Sequence, residues 1–270
     1  MSRFRQSTPP RRDAGPESAP LVDSGDESLA VAGVAADFES GLRLPRHRHR
    51  RAQLVYAIAG VMTVETSAGI WVVPPLRAVW LPPGMVHSIR MTGQVRMRTV
   101  YLDSDALAAV ATPAACAVLN VSPLLRELIV RVVDGDPGPP GRRHRLVAVL
   151  LDELAQADVA PLELRVPCDA RLRRITDALC RDPSDSRDVA AWARFAGLGE
   201  RTLARIFPQQ TGMTFVRWRQ QLRLLRALER LASGEAVTTV AVDLGYGSTS
   251  AFVKLFRESL GVTPGRYFAR

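Results

Sequence analysis

Residues 189–207 read VAAWARFAGLGERTLARIF, a stretch in which apolar side chains recur at helical spacing on either side of a break at Gly197. Residues 237–256, VTTVAVDLGYGSTSAFVKLF, have the same arrangement around Gly245. The two glycines lie 48 residues apart, and the apolar positions that follow them lie 49 apart, from Leu203 to Phe252 onward. Such a regular internal repeat predicts two copies of one unit, and each copy reads as a helix-turn-helix.

One long amphipathic helix is predicted to join the two units. In residues 214–233, TFVRWRQQLRLLRALERLAS, apolar side chains recur every three or four residues, with arginines between them. The apolar stripe consists of Phe215, Trp218, Leu222, Leu225, Leu228 and Leu231. A helix of this length spans about 30 Å, and successive major-groove faces on one side of B-DNA repeat every ~34 Å. One chain is therefore expected to place two recognition helices in adjacent segments of the major groove.

The run over residues 188–267 resembles the AraC/XylS family of bacterial transcription regulators. The segments LARIFPQQTGMTFVRWRQQLRLLRALERLASG and VDLGYGSTSAFVKLFRESLGVTPGRY carry the resemblance, which extends over about 100 C-terminal residues. The resemblance implies an AraC-type DNA-binding domain with two helix-turn-helix motifs at residues 169–270. It also implies double-stranded promoter DNA as the partner, and no cofactor that DNA binding requires.

Most of the excess positive charge lies in this half of the chain. The formal net charge is +9; residues 170–270 carry 17 Lys/Arg against 9 Asp/Glu, whereas residues 1–169 carry 19 against 18. Charge alone fits a solvated cationic surface equally well. Together with the repeat, it indicates phosphate neutralisation and steering towards nucleic acid.

Outward positions on the second helix of each unit are the candidates for reading DNA. In the first unit Arg201 and Arg205 lie four apart on the exposed face, and an arginine can donate two hydrogen bonds to guanine O6 and N7. In the second unit the outward candidates are Thr249, Ser250 and Lys254. Arg217, Arg219 and Arg257 are candidate phosphate contacts. For each of these residues the alternative is a solvated helix surface.

Three residues near the turns qualify this assignment. Gly199 stands where the family commonly has a Ser or Thr cap, a difference that costs roughly a few tenths of a kcal/mol. Pro208 stands where a polar or basic residue is usual, and a proline there is expected to end or kink the first recognition helix. Ser248 is expected to be the N-cap of the second recognition helix rather than a base reader.

Residues 29–103 differ from the helical half. Short apolar runs such as QLVYAIAG, IWVVPP and RMRTVYLD are separated by Gly and Pro, a pattern typical of short strands in a small antiparallel barrel or sandwich. Residues 1–28 are rich in Pro, Ser and charged residues with almost no large apolar side chain, and they are predicted to form a disordered tail.

Two short motifs in the β region contain three of the four histidines of the chain. GLRLPRHRHRRAQLVYAIAG is similar to the first cupin motif and LPPGMVH to the second, with His47, His49 and His87 at the motif positions. Because side chains repeat every second residue along a strand, His47 and His49 are expected on one face. Gln53 stands where metal-binding cupins usually carry Glu, and Met91 stands where the second motif usually ends in Asn.

Three interpretations of the histidine set remain open. Three histidines are a sound ligand set for a divalent metal ion, although Gln53 brings no charge to offset the desolvation of a cation. The three histidines and Gln53 could instead bind a small organic effector. Alternatively, the histidines could do no more than pack the mouth of the barrel. The predicted fold class is α+β in two domains, with an N-terminal antiparallel β cupin-like barrel and a C-terminal all-α double helix-turn-helix domain.

Residues 104–168 are predicted to form a helical connector between these domains. Ser122 caps the amphipathic segment SPLLRELIVRVVD, and HRLVAVLLDELAQA follows as a second helix. The two helices either cover the open face of the barrel or form the contact of a homodimer, which in relatives with this layout commonly lies in this region. A homodimer is the expectation.

The combined prediction is a sequence-specific transcriptional regulator that is not an enzyme and whose cupin-like domain senses a small molecule or a metal. The alternative is a metal-dependent cupin enzyme with a DNA-binding C-terminal domain, which the missing carboxylate ligand disfavours. A non-specific DNA-coating protein conflicts with the spacing of the repeat. The sequence has neither a run of some 18 apolar residues nor a secretory signal, so a cytoplasmic protein without a membrane partner is expected.

Overall fold

The computed structural model describes residues 29–108, 110–135, 139 and 141–268. The tail predicted over residues 1–28 lies outside the described residues. The strands are β1 Val31–Phe38, β2 Arg43–His47, β3 Ala52–Ala57, β4 Val61–Glu65, β5 Gly69–Val73, β6 Arg77–Leu81, β7 His87–Thr92, β8 Val95–Leu102, β9 Ala117–Asn120, β10 Val159–Ala160 and β11 Glu163–Arg165. The helices are α1 Ser104–Ala108, α2 Pro123–Asp134, α3 Arg142–Ala155, α4 Ala170–Arg181, α5 Val189–Phe195, α6 Glu200–Thr211, α7 Phe215–Ala232, α8 Val237–Asp243, α9 Thr249–Leu260 and α10 Pro264–Phe268. Within these ranges no helix is both long and apolar enough to cross a membrane.

The N-terminal half is built from two antiparallel sheets. One has the strand order β1-β8-β3-β6-β9-β10, and the other has the order β11-β5-β4-β7-β2. Alternation along each strand sends every second side chain to one face: on β7, His87, Ile89 and Met91 are buried, while the residues between them are partly exposed. The antiparallel β domain is therefore confirmed. It is an open sandwich rather than the predicted barrel, because hydrogen bonds join the described strands into two separate sheets.

The β domain also extends beyond the predicted limit at residue 103. β9 pairs with β6 and β11 pairs with β5, so the predicted connector contributes a strand to each sheet. These strands have only four and three residues, too few for an alternating pattern to be recognised. The two connector helices are present as α2, whose N-cap is Ser122, and α3. Buried side chains of both helices join the apolar cluster of the six-stranded sheet.

The C-terminal half is all-α, and its two helix-turn-helix units are α5–α6 and α8–α9. Gly197 and Gly245, the predicted breaks, adopt positive φ at the two turns. α7 joins the units, and all six residues of its predicted apolar stripe are buried. Ser248 is the N-cap of α9, as predicted, and its side chain accepts a hydrogen bond from the backbone N–H of Ala251 at 3.1 Å.

Pro208 does not end α6, contrary to the expectation from the sequence. The helix continues to Thr211 and ends where Gly212, in the left-handed conformation, donates its N–H to Pro208 O. A proline lacks its own backbone donor, but its carbonyl still accepts from Gly212 N–H and closes the last turn. Arg201 and Arg205 precede Pro208 within the helix.

α7 also connects the two halves of the molecule. It packs on the five-stranded sheet, against β4, β5 and β7. Trp218 Nε1 donates to Arg165 O at 3.0 Å, and the Tyr267 hydroxyl donates to Pro75 O at 3.0 Å. The same helix therefore spaces the two helix-turn-helix units and, together with Tyr267 of α10, contacts the β domain.

Candidate functional site

The first recognition helix, α6, presents two arginines to solvent. Leu203 and Phe207 on its inner face are fully buried, and this fixes the rotation of the helix. Arg201 and Arg205 consequently lie on the opposite, exposed face, one turn apart. The structure thus exposes both predicted base readers to solvent.

The second recognition helix, α9, presents a mixed polar face. Phe252 and Phe256 are buried on one side. On the other side Ser250 and Lys254 are exposed, and Thr249 in the first turn is half-buried. Lys254 Nζ lies 4.0 Å from a carboxylate oxygen of Glu258 on the next turn, a solvated contact that DNA can replace.

The three predicted phosphate contacts differ in their surroundings. Arg217 and Arg257 are exposed. Arg219 is half-buried, and its Nη1 donates to Arg187 O at 2.8 Å, next to the first helix-turn-helix unit. The arginine-rich sequence of α7 does not separate side chains that bind backbone carbonyls from those that face solvent, because this depends on how the helices pack.

Three histidines come together between the two sheets. β2 pairs with β7 so that His47 lies opposite His87, and His49 follows two residues after His47. The ring centroid of His47 lies 4.9 Å from that of His49 and 4.3 Å from that of His87. One nitrogen from each ring lies within 4.8 Å of the other two, and all three side chains are buried.

Hydrogen bonds to backbone carbonyls orient two of these rings. His47 Nδ1 lies 2.7 Å from Pro45 O, and His87 Nδ1 lies 2.9 Å from Met85 O. A carbonyl only accepts, so each Nδ1 carries a proton, and Nε2 is the ring nitrogen left for a ligand. Burial lowers the pKa of His87 to about 4, and the neighbouring histidines also lower it. His87 is therefore neutral at pH 7, the form that binds a metal ion.

Gln53 lies on the opposite sheet and is held by β8. Its Nε2 donates to Thr99 Oγ1 at 3.1 Å and to the Tyr101 hydroxyl at 3.0 Å. Because the Thr99 hydroxyl itself donates to Leu54 O, Thr99 accepts from the amide, and this fixes the amide orientation. Within the described residues Gln53 Oε1 is buried without a hydrogen-bond partner. The predicted set of four therefore divides into three clustered histidines and a glutamine bonded to β8.

The donor set fits a borderline transition-metal ion such as Zn²⁺. Three neutral imidazoles bind zinc and leave one position of a tetrahedron open for a further ligand. Ca²⁺ and Mg²⁺ prefer oxygen ligands, and the histidine cluster includes no carboxylate among the residues that the structure describes.

Comparisons with known proteins agree with this division into two domains. The family model of the AraC-like ligand binding domain matches residues 28–156, and that of a helix-turn-helix domain matches residues 192–270. The HTH-type transcriptional regulator NimR of Escherichia coli (strain K12) is 39% identical over 244 residues, which cover 88% of each chain. The chain belongs to the AraC family of transcriptional regulators. It is a transcriptional regulator with a ligand-binding domain and a helix-turn-helix DNA-binding domain.

Other members of the AraC family are more distant. The arabinose operon regulatory protein of Escherichia coli (strain K12) is 26% identical over 152 residues, which are 54% of this chain and 52% of that protein. Among solved structures, the unsaturated-fatty-acid-bound ToxT of Vibrio cholerae aligns with 92% of this chain and 97% of its own, at 10% identity and a TM-score of 0.38.

Sequence reasoning missed two polar residues of the ligand-binding domain, Thr99 and Tyr101. Both lie on β8 and bond Gln53, and the Tyr101 ring lies 5.0 Å from that of His49. The run VRMRTVYL does contain a signal, since Thr99 and Tyr101 are separated by one residue and share a face. The sequence does not show, however, that β8 pairs with β3, the strand that carries Gln53.

Proposed function

We propose that this AraC-family regulator reads promoter DNA with α6 and α9, and that occupancy of the histidine site changes its affinity for that DNA. The observation that carries the proposal is the convergence of His47, His49 and His87 in the domain that matches the AraC-like ligand-binding model. Binding at such a site acts on transcription when it is linked to DNA binding by a coupling free energy.

For the DNA-binding half, the proposal assigns base reading to Arg201 and Arg205 on α6 and to Thr249, Ser250 and Lys254 on α9. The exposed positions of the two arginines support this assignment, because a bidentate arginine–guanine pair contributes about 1–3 kcal/mol of discrimination. Arg217, Arg219 and Arg257 are proposed phosphate contacts. Such contacts position the protein on any duplex without specifying the sequence.

For the ligand-binding half, the proposed effector is a divalent transition-metal ion such as Zn²⁺. A bound ion supplies a Lewis-acidic centre with a position open to a further ligand. His47 and His87 would contribute Nε2, because their Nδ1 atoms are bonded to carbonyls. The second candidate is a small organic molecule, which the unpartnered acceptor Gln53 Oε1 favours within the described residues.

The remaining features of the proposed function concern assembly and activity. We infer a homodimer that associates through α2 and α3, where Leu124 and Val149 are exposed at 50% and 42%; light scattering that gives a strict monomer at micromolar concentration would contradict it. The protein is proposed to act by binding rather than by catalysis. Because its proposed target is promoter DNA, we expect it in the bacterial cytoplasm.

The decisive experiment measures DNA binding and metal content in the same samples. Purified protein is titrated against the DNA that flanks its own gene and against a scrambled duplex, across a salt series, with Zn²⁺ or with a chelator. We expect preference for the flanking DNA, loss of that preference in Arg205→Ala, and a change of affinity with Zn²⁺. His47→Ala should lose the bound zinc, while His144→Ala, whose exposed histidine lies outside the cluster on α3, should keep it. Absence of zinc from the unmutated protein after loading and dialysis would eliminate the metal effector.

A further inference from the structure

The five-stranded sheet separates the histidine site from the DNA-binding half. On β7 the side chain of His87 faces the interior of the sandwich together with Met91, whereas Arg90 faces the other side. Thr63 on β4 lies directly opposite Arg90 in the register of the sheet, so both side chains are on the outer face. α7 packs on that face. One strand therefore has a proposed effector ligand on one face and a contact with the DNA-binding domain on the other.

The contact is made by Glu229, a buried carboxylate near the end of α7. Its Oε1 accepts from Arg90 Nη2 at 2.6 Å and from the Thr63 hydroxyl at 2.5 Å. Its Oε2 accepts from Arg226 Nη1 at 2.9 Å, and Arg226 Nη2 donates to Cys180 O on α4. Only 8% of the Glu229 side chain is exposed. This carboxylate therefore bonds β4, β7 and its own helix at once.

Electrostatics keep this carboxylate charged in spite of its burial. Burial alone raises the pKa of Glu229, but the charges of Arg226 and Arg90 and the hydrogen bond from Thr63 together lower it below its ordinary value of 4.5. A buried charge that loses one of its partners is strongly destabilising. The buried charge of Glu229 is therefore stable only while α7 stays close enough to β4 and β7 for Thr63 and Arg90 to bond it. The contact is for this reason sensitive to small movements of β7.

We propose that Glu229 couples the histidine site to DNA binding, by tying α7 to the strand that carries His87. This inference rests on the proposed function in one respect, namely that the histidine site is the effector site. His87 and Arg90 are three residues apart on β7, about 10 Å along a strand. α7 joins both helix-turn-helix units, so a tilt of α7 on the sheet moves α6 and α9 with it relative to the β domain.

The histidine site can supply the required movement. One nitrogen from each of the three histidines lies within 4.8 Å of the other two, so an ion held by all three would draw the rings towards a common centre. His47 and His87 are on the paired strands β2 and β7, so an ion held by both rings would act on the strand that also holds Arg90.

The test compares Glu229→Gln with Glu235→Gln. Each variant loses one carboxylate, Glu229 from the last turn of α7 and Glu235 from the loop that follows the helix. Glu235, however, pairs with Arg230 inside the DNA-binding half, so Glu235→Gln serves as the matched control. Operator affinity is measured with and without Zn²⁺, and Zn²⁺ affinity is measured separately. We expect zinc to change operator affinity about tenfold in the unmutated protein and in Glu235→Gln, within the roughly 5- to 150-fold range of typical couplings. In Glu229→Gln the change should fall below about twofold while Zn²⁺ still binds.

A full zinc response in Glu229→Gln would overturn the inference. Absence of a zinc response in the unmutated protein would contradict the proposed effector instead, and a metal-free measurement then tests the coupling by itself. Because coupling is reciprocal, operator DNA should change amide hydrogen exchange in β4 and β7 of the unmutated protein but not of Glu229→Gln. Exchange in these strands that is unaffected by DNA would overturn the inference. Thr63→Val, which removes one donor without a change of shape, replaces Glu229→Gln if that variant does not fold.

Discussion

Substitution of Gly93 tests how closely the β domain and α7 approach each other. Gly93 lies in the turn between β7 and β8, with φ of +70°. A Cβ at this position would lie 2.6 Å from Ala232 O, the backbone carbonyl at the end of α7. Ordinary van der Waals contact begins at 3.4 Å. In Gly93→Ala the turn and α7 would therefore have to separate by about 0.8 Å, the difference between these two distances.

The control for Gly93→Ala is Gly41→Ala. Gly41 also has positive φ, +87°, but a Cβ there meets nothing within 4 Å. Both variants lose about 1–2 kcal/mol of stability, because an L-residue is strained in the left-handed region. Only Gly93→Ala adds the cost of overpacking, about 1–3 kcal/mol. We expect Gly93→Ala to be the less stable variant by that difference.

Urea unfolding of the full chain measures the difference, from the shift of the midpoint at constant slope. Hydrogen exchange then locates it: α7 and the β7–β8 turn should exchange faster in Gly93→Ala and not in Gly41→Ala. Equal unfolding midpoints for the two variants would refute the reasoning, since the contact between the turn and α7 would then not hold the domains together in solution.

Three further predictions follow from the described contacts. Arg205→Ala should reduce the preference for operator over scrambled DNA by about 1–3 kcal/mol. Arg257→Ala should instead weaken binding to both duplexes and lower the slope of log affinity against log salt concentration by about one. Binding titrations across a salt series distinguish the two outcomes. Burial raises the pKa of Glu229, but Arg226, Thr63 and Arg90 together lower it below its ordinary value in the folded protein. The charged carboxylate therefore contributes stability above pH 4.5 that is lost as pH falls through the folded pKa. The difference in unfolding free energy between the unmutated protein and Glu229→Gln should narrow in acid, and a difference that does not change with pH in urea unfolding would contradict the ion pair. Ser248→Ala removes the side-chain acceptor at the start of α9 and should cost about 0.5–2 kcal/mol, while Ser250→Ala on the exposed first turn should cost much less, as measured by the same unfolding experiment.

The helical half could be predicted in detail from the sequence because its pattern is local and repeated. The breaks at Gly197 and Gly245 are the turns of the structure, and the cap at Ser248 is where the pattern puts it. The expectation that Pro208 would end α6 was wrong, because the other residues of the last turn still make their hydrogen bonds, including the one from Gly212 N–H to Pro208 O.

The β domain was predicted as a class but not in its topology. Alternating apolar runs identify strands, but they do not say which strands pair, so the histidines could be selected by motif while Thr99 and Tyr101 could not. Likewise β9 and β11 are too short to be detected, and they become strands because neighbouring edges offer hydrogen bonds to them. Pairing over long sequence distances is a property of the whole fold rather than of any segment.

The environment of the charged residue Glu229 could not be predicted from the sequence either. In the sequence it lies three residues after Arg226 on an amphipathic helix, a spacing typical of exposed ion pairs that contribute little to stability. The structure contains that pair, but the approach of β4 and β7 buries it and adds Arg90 and Thr63. The contribution of a carboxylate to stability depends on how far water is excluded from it. At Glu229 the strands of the other domain exclude the water. A helix that looks like a simple spacer between two helix-turn-helix units therefore also carries a buried charge that bonds two strands of the ligand-binding domain.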